Sequence, residues 1–396
     1  MTNLWDSFCA VAPDREVAGY FERAPTGSEP YGEAFAFHRA DDRITLSPKS
    51  DPTEVAAETE RALRRSGSAL VGYVGFDAVG LFEPALANFP TGSPFPLGEI
   101  AVVQGGRVGR TRAPVLRPFR SRRPATPSRD SLPVRRFGHG VRNLVNAIRA
   151  GEAFQVVLAH RREWSRPDDL LARAGILRAT ERFAFFYYLK FGDREVVGAT
   201  PESVVEVRGD RVFINPIAGT LPTGAGRRGR LPLSRDPKEL AEHRMLVDLA
   251  RNDLGSVSRA GSVRLVWEER RERYARLEHL VSRVAGRLKP KVGPWGALAA
   301  AFPAGTVSGA PKIRATQLLR REERTWRGPY AGTVALLRPN GRADFALAIR
   351  SGFAAGRTLY TAAGAGVVHR SQPRREFAET LSKLAHVESA LAGSAS

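Results

Sequence analysis

Two pairs of glutamates have the spacing expected of oxygen ligands for a hard divalent cation. Glu239 and Glu242 lie three residues apart in KELAE, and Glu376 and Glu379 lie three apart in EFAE. Residues at this spacing project from the same face of a helix. Four carboxylates would repel one another unless a cation lay among them, and Mg²⁺ accepts one or two protein carboxylates together with waters and a substrate oxygen. The pairs predict a Mg²⁺ site if their two helices meet; otherwise each pair is an ordinary solvated helix face.

Two glycine-rich turns and one arginine have the chemistry needed to bind anions. FPAGTVSGAPKIR (302–314) places small residues ahead of a proline that should open a helix, and AAGAGVV (362–368) is predicted to be a turn after a strand. Backbone N–H groups at such turns attract anions. Arg350, at the end of the apolar run FALAIR, offers a bidentate fork for a carboxylate. With the cation, these elements predict a pocket for a small substrate with two carboxylates; alternatively the glycines only make tight turns.

The elements that must position these residues follow from hydrophobic periodicity and from Gly and Pro punctuation. Adjacent strands alternate with long helices, which favours an α+β fold over a doubly wound one. The helices are predicted at about 53–65, 138–150, 167–179, 236–252 and 373–392. The strands are predicted at 153–159, 183–190, 195–198, 203–207, 211–216, 330–337, 344–350 and 358–361.

The composition divides the chain and restricts the classes of function. Residues 1–105 alternate short apolar runs with Gly and Pro, 106–136 are an Arg- and Pro-rich connector, and 137–392 carry the motifs. The formal charge is +20, but seven of the 61 basic residues are lysine, and the arginines are spread along the whole chain. Because no nucleic-acid-binding signature accompanies that charge, we expect no nucleic-acid partner.

Targeting signals and cysteine usage restrict the compartment and the kinds of site that the chain can have. No apolar run reaches the length of a membrane span, and the N-terminal residues do not resemble a signal peptide, so we expect a cytoplasmic protein without a membrane partner. Cys9 is the only cysteine, which excludes an internal disulfide, a cysteine-ligated zinc site and an iron–sulfur cluster.

The chain resembles the chorismate-utilising enzymes, and within them the large subunit of anthranilate synthase. The resemblance is dense from about 137 to 391 and weak before 105. It rests on motifs that occur here in the family's order: KELAEHRMLVDLARND, LEHLVSRVAG, FPAGTVSGAPKIR, RGPYAG, AIRSGF, AGAGVV and EFAET. The resemblance implies a two-lobed sandwich of large antiparallel sheets flanked by helices, with 1–105 as the N-terminal lobe and 137–392 as the catalytic region.

The resemblance also implies a role for each motif residue. Glu242 and Glu379 are expected to ligate Mg²⁺ directly, while Glu239 and Glu376 support its waters. The ring carboxylate of chorismate is expected to lie against the cation, aided by a lysine and a backbone segment: Lys383, Gly364, Ala365 and Gly366.

The other end of the substrate is assigned in the same way. Tyr330 and Arg350 are expected to hold the enolpyruvyl carboxylate, and Thr306 and His279 to line the ring. Glu202, in GATPES, matches the general acid that protonates the leaving 4-hydroxyl, a role that requires a raised pKa. His279 has two further interpretations: it assists loss of the C2 proton, or it is a packed, neutral histidine.

Two positions distinguish members of the family by the nucleophile that attacks C2. Isochorismate and salicylate synthases have a lysine in KVVL that activates water, whereas this chain has Gln155 in QVVL. Aminodeoxychorismate synthases have a lysine nucleophile in PIKGT, whereas FINPIAGTLP (213–222) has Ala218. Neither residue can replace the missing amine. Ammonia remains, which predicts anthranilate as the product; the alternative is a synthase that stops at 2-amino-2-deoxyisochorismate.

The family pattern also implies a partner and raises a question of regulation. No glutaminase motif surrounds Cys9, so a separate glutamine amidotransferase subunit is expected to supply ammonia in a hetero-oligomer. Tryptophan-regulated members have an early LLES motif, which here is at best FER (21–23). We therefore expect weak or no inhibition by tryptophan; the alternative is a divergent pocket that binds tryptophan through other residues.

Overall fold

The structure, a computed structural model, describes residues 3–25, 31–65, 67–112, 126–222, 233–274 and 277–393. Within these ranges the side chains of residues 218–222, 234, 238, 272–274 and 277–279 are not described. None of the described helices is both long and apolar enough to cross a bilayer.

Two large antiparallel sheets make up the fold, as the family resemblance implied, and each has ten strands within the described ranges. The first sheet, in spatial order, contains β16 (Gly309–Ala310), β8 (Gln155–Ser165), β20 (Thr358–Val367), β19 (Ser351–Ala355), β10 (Arg194–Thr200), β9 (Phe185–Phe191), β1 (Val17–Arg23), β2 (Gly32–Phe37) and β6 (Arg107–Thr111), with β7 (Arg129–Asp130) also paired to β8. The second contains β13 (Ile217–Pro222), β15 (Leu277–Arg287), β12 (Arg211–Ile214), β11 (Ser203–Arg208), β18 (Arg342–Leu347), β17 (Thr333–Leu337), β4 (Ala69–Val74), β5 (Gly98–Val103) and β3 (Asp42–Leu46), with β14 (Arg264–Tyr274) also paired to β15.

Helices flank the sheets, and several begin at the predicted signals. The described helices are α1 (Leu4–Cys9), α2 (Pro52–Arg64), α3 (Val79–Phe82), α4 (Val134–Arg149), α5 (Leu170–Thr180), α6 (Pro237–Val257), α7 (Pro294–Ala301), α8 (Gly305–Ser308), α9 (Lys312–Glu323) and α10 (Pro373–Leu391). Pro311 immediately precedes α9, as the sequence predicted. Asp51, which was not singled out, accepts hydrogen bonds from two N–H groups in the first turn of α2.

Strand alternation separates the core into two layers. On β9, Phe185, Tyr187 and Leu189 join the main apolar cluster, which contains residues of both sheets and therefore lies between them. Phe186 and Tyr188 point to the other face and pack in a second cluster with residues of α1, α5 and α10. β9 thus contributes one face to the core between the two sheets and the other face to the packing of α1, α5 and α10.

The predicted N-terminal lobe shares both sheets with the predicted catalytic region. β1 pairs with β9, and β4 pairs with β17. The predicted connector (106–136) contains β6 and β7, while residues 113–125 lie outside the described part. The proposed domain boundaries at 105 and 136 remain predictions.

The glycine-rich segment AAGAGVV does not form the predicted turn. It continues β20, and Gly364 and Gly366 lie opposite Ala159 and Val157 on β8. The glycines permit close packing rather than a bend, because a Cβ on Gly364 would lie 2.8 Å from the Val157 side chain. The long strands β14 and β15 were also not predicted.

Candidate functional site

The two glutamate-bearing helices reach the same short stretch of β20. Gln155 Nε2 donates to Glu242 Oε1 over 3.1 Å. The same Gln155 atom would lie 2.6 Å from a Cβ on Gly366, so the amide group packs between Glu242 of α6 and Gly366 of β20. The contact brings Glu242 to the first sheet, although α6 follows strands of the second.

The second pair lies two residues further back along β20. Lys383 Nζ is 2.7 Å from Glu379 Oε1, one helical turn away on α10, and donates to the carbonyl of Gly364 over 2.9 Å. Glu242 and Glu379 therefore approach the Gly364–Gly366 segment from two different helices. Both helices thus place a glutamate near one short segment of β20, and the predicted Mg²⁺ site stays a prediction.

The donor set is suitable for a hard cation that keeps part of its water. The carboxylates of Glu242 and Glu379 supply oxygen, and Glu379 is exposed, which leaves room for waters. Within the described ranges, no three His, Cys, Asp or Glu side chains converge on one point. These two residues therefore fit Mg²⁺ completed by water and substrate oxygens, and a closed protein cage is not formed by the described residues. Glu239 and Glu376, half-buried on the same two helices, have other contacts.

The predicted carboxylate-binding arginine and tyrosine are both near this segment. Arg350 Nη1 donates to the carbonyl of Lys383 over 2.9 Å, and its φ of 54° places its backbone in the left-handed region. Burial lowers the pKa of the Arg350 guanidinium, while Glu181 acts in the opposite direction. Tyr330 is buried, its hydroxyl would lie 3.3 Å from a Cβ on Gly364, and burial raises the pKa of Tyr330 to about 12. The Tyr330 phenol thus lies beside the Gly364 backbone of β20, and the Arg350 guanidinium lies beside the Lys383 backbone of α10.

The predicted general acid is buried and held by one hydroxyl group. Thr306 Oγ1 donates to Glu202 Oε1 over 2.6 Å, from α8 to the start of β11. Burial raises the pKa of Glu202 to about 7, although Thr306 and Lys383 act to lower it. A small cavity of about 30 Å³ beside Glu202 is large enough for a water molecule. Glu202 has the raised pKa that a general acid requires near neutral pH.

Two predicted residues lie at the limit of the described structure. Ala218 pairs with Leu280 through the backbone of β13, and His279 lies on β15. The side chains of both lie outside the described part, so their predicted roles remain predictions.

A buried ion pair behind Tyr330 was not identified from the sequence. Arg327 donates to Glu323 and to the carbonyls of Val157 and Val307, at distances between 2.6 and 2.9 Å. The guanidinium carbon is 5.9 Å from the centre of the Tyr330 ring. The pair ties α9 to β8 and to α8, and so supports the wall that carries Tyr330. The four-residue spacing of Glu323 and Arg327 was the available signal.

Gly366→Ala tests the contact between Gln155 and Glu242. The added methyl group would displace the Gln155 amide from Glu242, so we expect the Mg²⁺ concentration for half-maximal activity to rise roughly tenfold. Titrating turnover with MgCl₂ measures this effect. Gly255→Ala is the matched control, because a Cβ at Gly255 meets nothing within 4 Å. An unchanged Mg²⁺ dependence in Gly366→Ala would show that the contact is not needed.

A profile of the chorismate binding enzyme family matches residues 18–389. Anthranilate synthase component 1 of Saccharolobus solfataricus is 34% identical over 420 residues, which cover 98% of this chain and 96% of the relative. Anthranilate synthase component 1 of Methanothermobacter marburgensis is 43% identical over 259 residues, 64% of this chain and 56% of that relative. The match likewise spans only 54% of the length of the relatives from Methanothermobacter thermautotrophicus and Mycolicibacterium smegmatis.

Solved structures give the same picture of the fold. The crystal structure of anthranilate synthase component I from Streptococcus pneumoniae TIGR4 matches with a TM-score of 0.78 and 28% identity, over 90% of this chain and 92% of the other. The menaquinone-specific isochorismate synthase from Escherichia coli matches with a TM-score of 0.76 over 98% of this chain and 91% of the other. At 18% identity, the second likeness concerns the fold alone.

Proposed function

Because the chain belongs to the family of chorismate-binding enzymes, we propose that it is an anthranilate synthase of the component 1 type. The reaction adds ammonia to C2 of chorismate with loss of the 4-hydroxyl as water, and then eliminates pyruvate to give anthranilate. The observation that best supports this proposal is the convergence of Glu242, Glu379, Lys383 and Tyr330 on the Gly364–Gly366 segment.

Substrate binding follows from the charges at the two ends of the proposed site. A bound Mg²⁺ would neutralise the ring carboxylate and fix its orientation. Glu242 and Glu379 would hold the cation, and Lys383 would add a positive charge beside Gly364. Arg350 and Tyr330 would receive the enolpyruvyl carboxylate, because a guanidinium binds such a group bidentately and the phenol donates one hydrogen bond.

Loss of the 4-hydroxyl requires an acid, because hydroxide is a poor leaving group. Because burial raises the pKa of Glu202 to about 7, its carboxyl group can both hold and release a proton near neutral pH, and Thr306 orients that group. Protonation of the departing oxygen by Glu202 releases water while ammonia forms the new C–N bond at C2. His279 remains a candidate for removing the C2 proton during pyruvate elimination.

The choice of ammonia over water is supported by Gln155. Its amide group is engaged by Glu242 and cannot act as a base towards water. Ala218 provides no amine that could attack the ring. Ammonia would come from a glutamine amidotransferase partner, as the designation component 1 among the relatives suggests.

One assay tests the proposal and its alternative. The purified chain is incubated with chorismate and Mg²⁺, with ammonium at pH 8.5 or without a nitrogen source, and pyruvate and anthranilate fluorescence are measured. The proposal expects equal amounts of both products, with ammonium only. An amino product without pyruvate would instead identify a 2-amino-2-deoxyisochorismate synthase. Pyruvate without ammonium, or no reaction with ammonium, would contradict both.

Weak or absent inhibition by tryptophan is expected from the residues that replace the LLES motif. Glu22 is fully buried on β1, accepts from Arg178 Nε at 2.7 Å and from the Tyr20 hydroxyl at 3.1 Å. Both bonds go to Oε2, while Oε1 is buried without a hydrogen-bond partner among the described residues. Because the guanidinium of Arg178 already pairs with this carboxylate, it is a poor receptor for the ammonium group of an amino acid. Activity with 1 mM tryptophan should therefore stay within about twofold of the uninhibited rate. A twofold change corresponds to a free-energy difference of well under 1 kcal/mol. Micromolar competitive inhibition would show a divergent pocket.

A further inference from the structure

His160 connects three separate elements just beneath the proposed site. It lies on β8 opposite Ala363, next to the Gly364 position, and is 2% exposed. Its Nδ1 is 3.0 Å from both carboxylate oxygens of Asp130 on β7. Its Nε2 is 2.9 Å from Thr380 Oγ1 on α10.

The hydrogen-bond partners assign both protons of the imidazole ring. Asp130 can only accept, so Nδ1 of His160 donates. Thr380 Oγ1 donates its single proton to the carbonyl of Phe377 over 2.7 Å, so it accepts from Nε2 of His160. Burial raises the pKa of Asp130, but the hydrogen bond and charge of His160 outweigh that effect and leave it lowered. His160 therefore bonds to the Asp130 carboxylate through Nδ1 and to Thr380 on α10 through Nε2, and so links β7 to α10.

A second connection between the same two elements lies further along them. Arg162 Nη1 is 2.5 Å from Glu388 Oε2, and Glu388 Oε1 accepts from Thr361 on β20 over 2.9 Å. His160 and Arg162 lie on one face of β8, since they are two residues apart. Thr380 and Glu388 lie eight apart on α10, on the same face of the helix. β8 thus contacts α10 through two polar side chains, His160 and Arg162.

The first of these contacts is next to the residues that the proposed function uses. Thr380 follows Glu379 in the chain and precedes Lys383 by three residues. The rings of Phe137 and Phe377 surround His160, with centres 5.7 and 5.2 Å from that of the imidazole. A helix held at Thr380 keeps Glu379 and Lys383 at a fixed distance from the Gly364 carbonyl.

We propose that His160, paired with Asp130, is a positioning residue that fixes α10 so that Glu379 and Lys383 face the Gly364–Gly366 segment. It does not touch the substrate in this proposal, which rests on the proposed function for its effect on turnover. The charged groups that face His160 are Asp130 from β7, with Arg162 on its own strand and Glu388 on α10 nearby.

The test combines exchange and kinetics. In His160→Ala, we expect faster deuterium uptake in the peptide covering residues 373–384 and a roughly 10- to 100-fold higher Mg²⁺ concentration for half-maximal activity, with kcat less affected. His160→Gln retains a donor towards Thr380 and should recover part of both effects. If His160→Ala does not fold, Asp130→Asn and Thr380→Val take its place. Both leave the imidazole ring of His160 in place and should show the same changes in deuterium uptake and Mg²⁺ dependence to a smaller extent. His139→Ala, an exposed histidine on α4, is the control.

The outcomes separate this proposal from the proposed function. Unchanged exchange in α10 and unchanged Mg²⁺ dependence in folded His160→Ala would overturn the positioning role. If the wild-type chain does not convert chorismate, the proposed function fails, and the exchange measurement alone decides whether His160 holds α10. An equal fall in kcat at all Mg²⁺ concentrations, with α10 exchange as in wild type, would also overturn it.

Discussion

Replacing Glu202 with glutamine is expected to lower kcat by roughly 10²- to 10⁴-fold, the usual contribution of a general acid. Glutamine keeps the size of the side chain and can accept the hydrogen bond from Thr306, but it has no acidic proton to give to the leaving hydroxyl group. Stopped assays of pyruvate release at saturating chorismate, Mg²⁺ and ammonium measure the change. Glu322→Gln is the control, because Glu322 accepts a hydrogen bond from Asn143 and lies away from the proposed site. Its kcat should stay within about twofold of wild type, which corresponds to a change in activation free energy well below 1 kcal/mol.

The pH dependence gives a second view of the same residue. Burial raises the pKa of Glu202 from 4.5 to about 7, and in the proposed mechanism the protonated form is the active one. The acid-dependent step should therefore slow as pH rises through 7, with ammonia held constant. A flat profile in that range, or a Glu202→Gln variant with wild-type kcat, would exclude Glu202 as the acid.

The same pKa shift also predicts that Glu202 lowers the stability of the folded chain at high pH. A carboxyl group whose pKa is higher in the folded state favours folding fully below pH 4.5, and that contribution is lost as pH rises to about 7. The shift corresponds to a loss of about 3 kcal/mol. Glu202→Gln lacks this loss, so its free energy of unfolding in urea should exceed that of wild type at pH 8 but not at pH 4.5. The acid would then be retained at the expense of stability.

Glu242→Gln is expected to lower turnover by roughly a thousandfold, because the substitution removes a proposed Mg²⁺ ligand and with it several kcal/mol of charge stabilisation. The glutamine amide would also meet the Gln155 amide, which now donates to a carboxylate. Neither excess ammonium nor excess Mg²⁺ should restore the rate. The measurement is anthranilate formation across a matrix of both concentrations.

The control for Glu242 is an exposed glutamate. Glu58→Gln, on the solvent side of α2, changes the same functional group without touching the proposed site. Turnover by wild type in the presence of EDTA, or wild-type activity of Glu242→Gln, would refute the metal assignment.

Local signals in the sequence predicted most helices and many strands. Asp236 and Pro237 mark the start of α6, and Glu239 N donates to Asp236 Oδ1 at 3.4 Å. The prediction failed for β14, whose sequence RLVWEERRERY carries charged residues on both faces and shows no alternation. The prediction also failed for AAGAGVV, where the glycines allow β8 to pack closely against β20. That close approach depends on the side chains of β8, which the local pattern of AAGAGVV does not encode.

The site could be predicted as a set of residues but not as an arrangement. Glu242 and Glu379 were identified through spacing and resemblance, whereas the contacts of Gln155 with Glu242 and of Lys383 with Gly364 join residues distant in the chain. His160 gave no signal, because its function depends on Asp130 and Thr380, which approach it only in the folded chain.

The pairing of β1 with β9 and of β4 with β17 has a consequence for truncated versions of the chain. A fragment starting near residue 137 would contain every motif glutamate, yet both of its sheets would end in bare hydrogen-bonding edges. Exposed edges of this kind recruit strands from other molecules. The fragment should therefore precipitate or associate, and co-expressing residues 1–136 as a separate piece should rescue it by strand complementation.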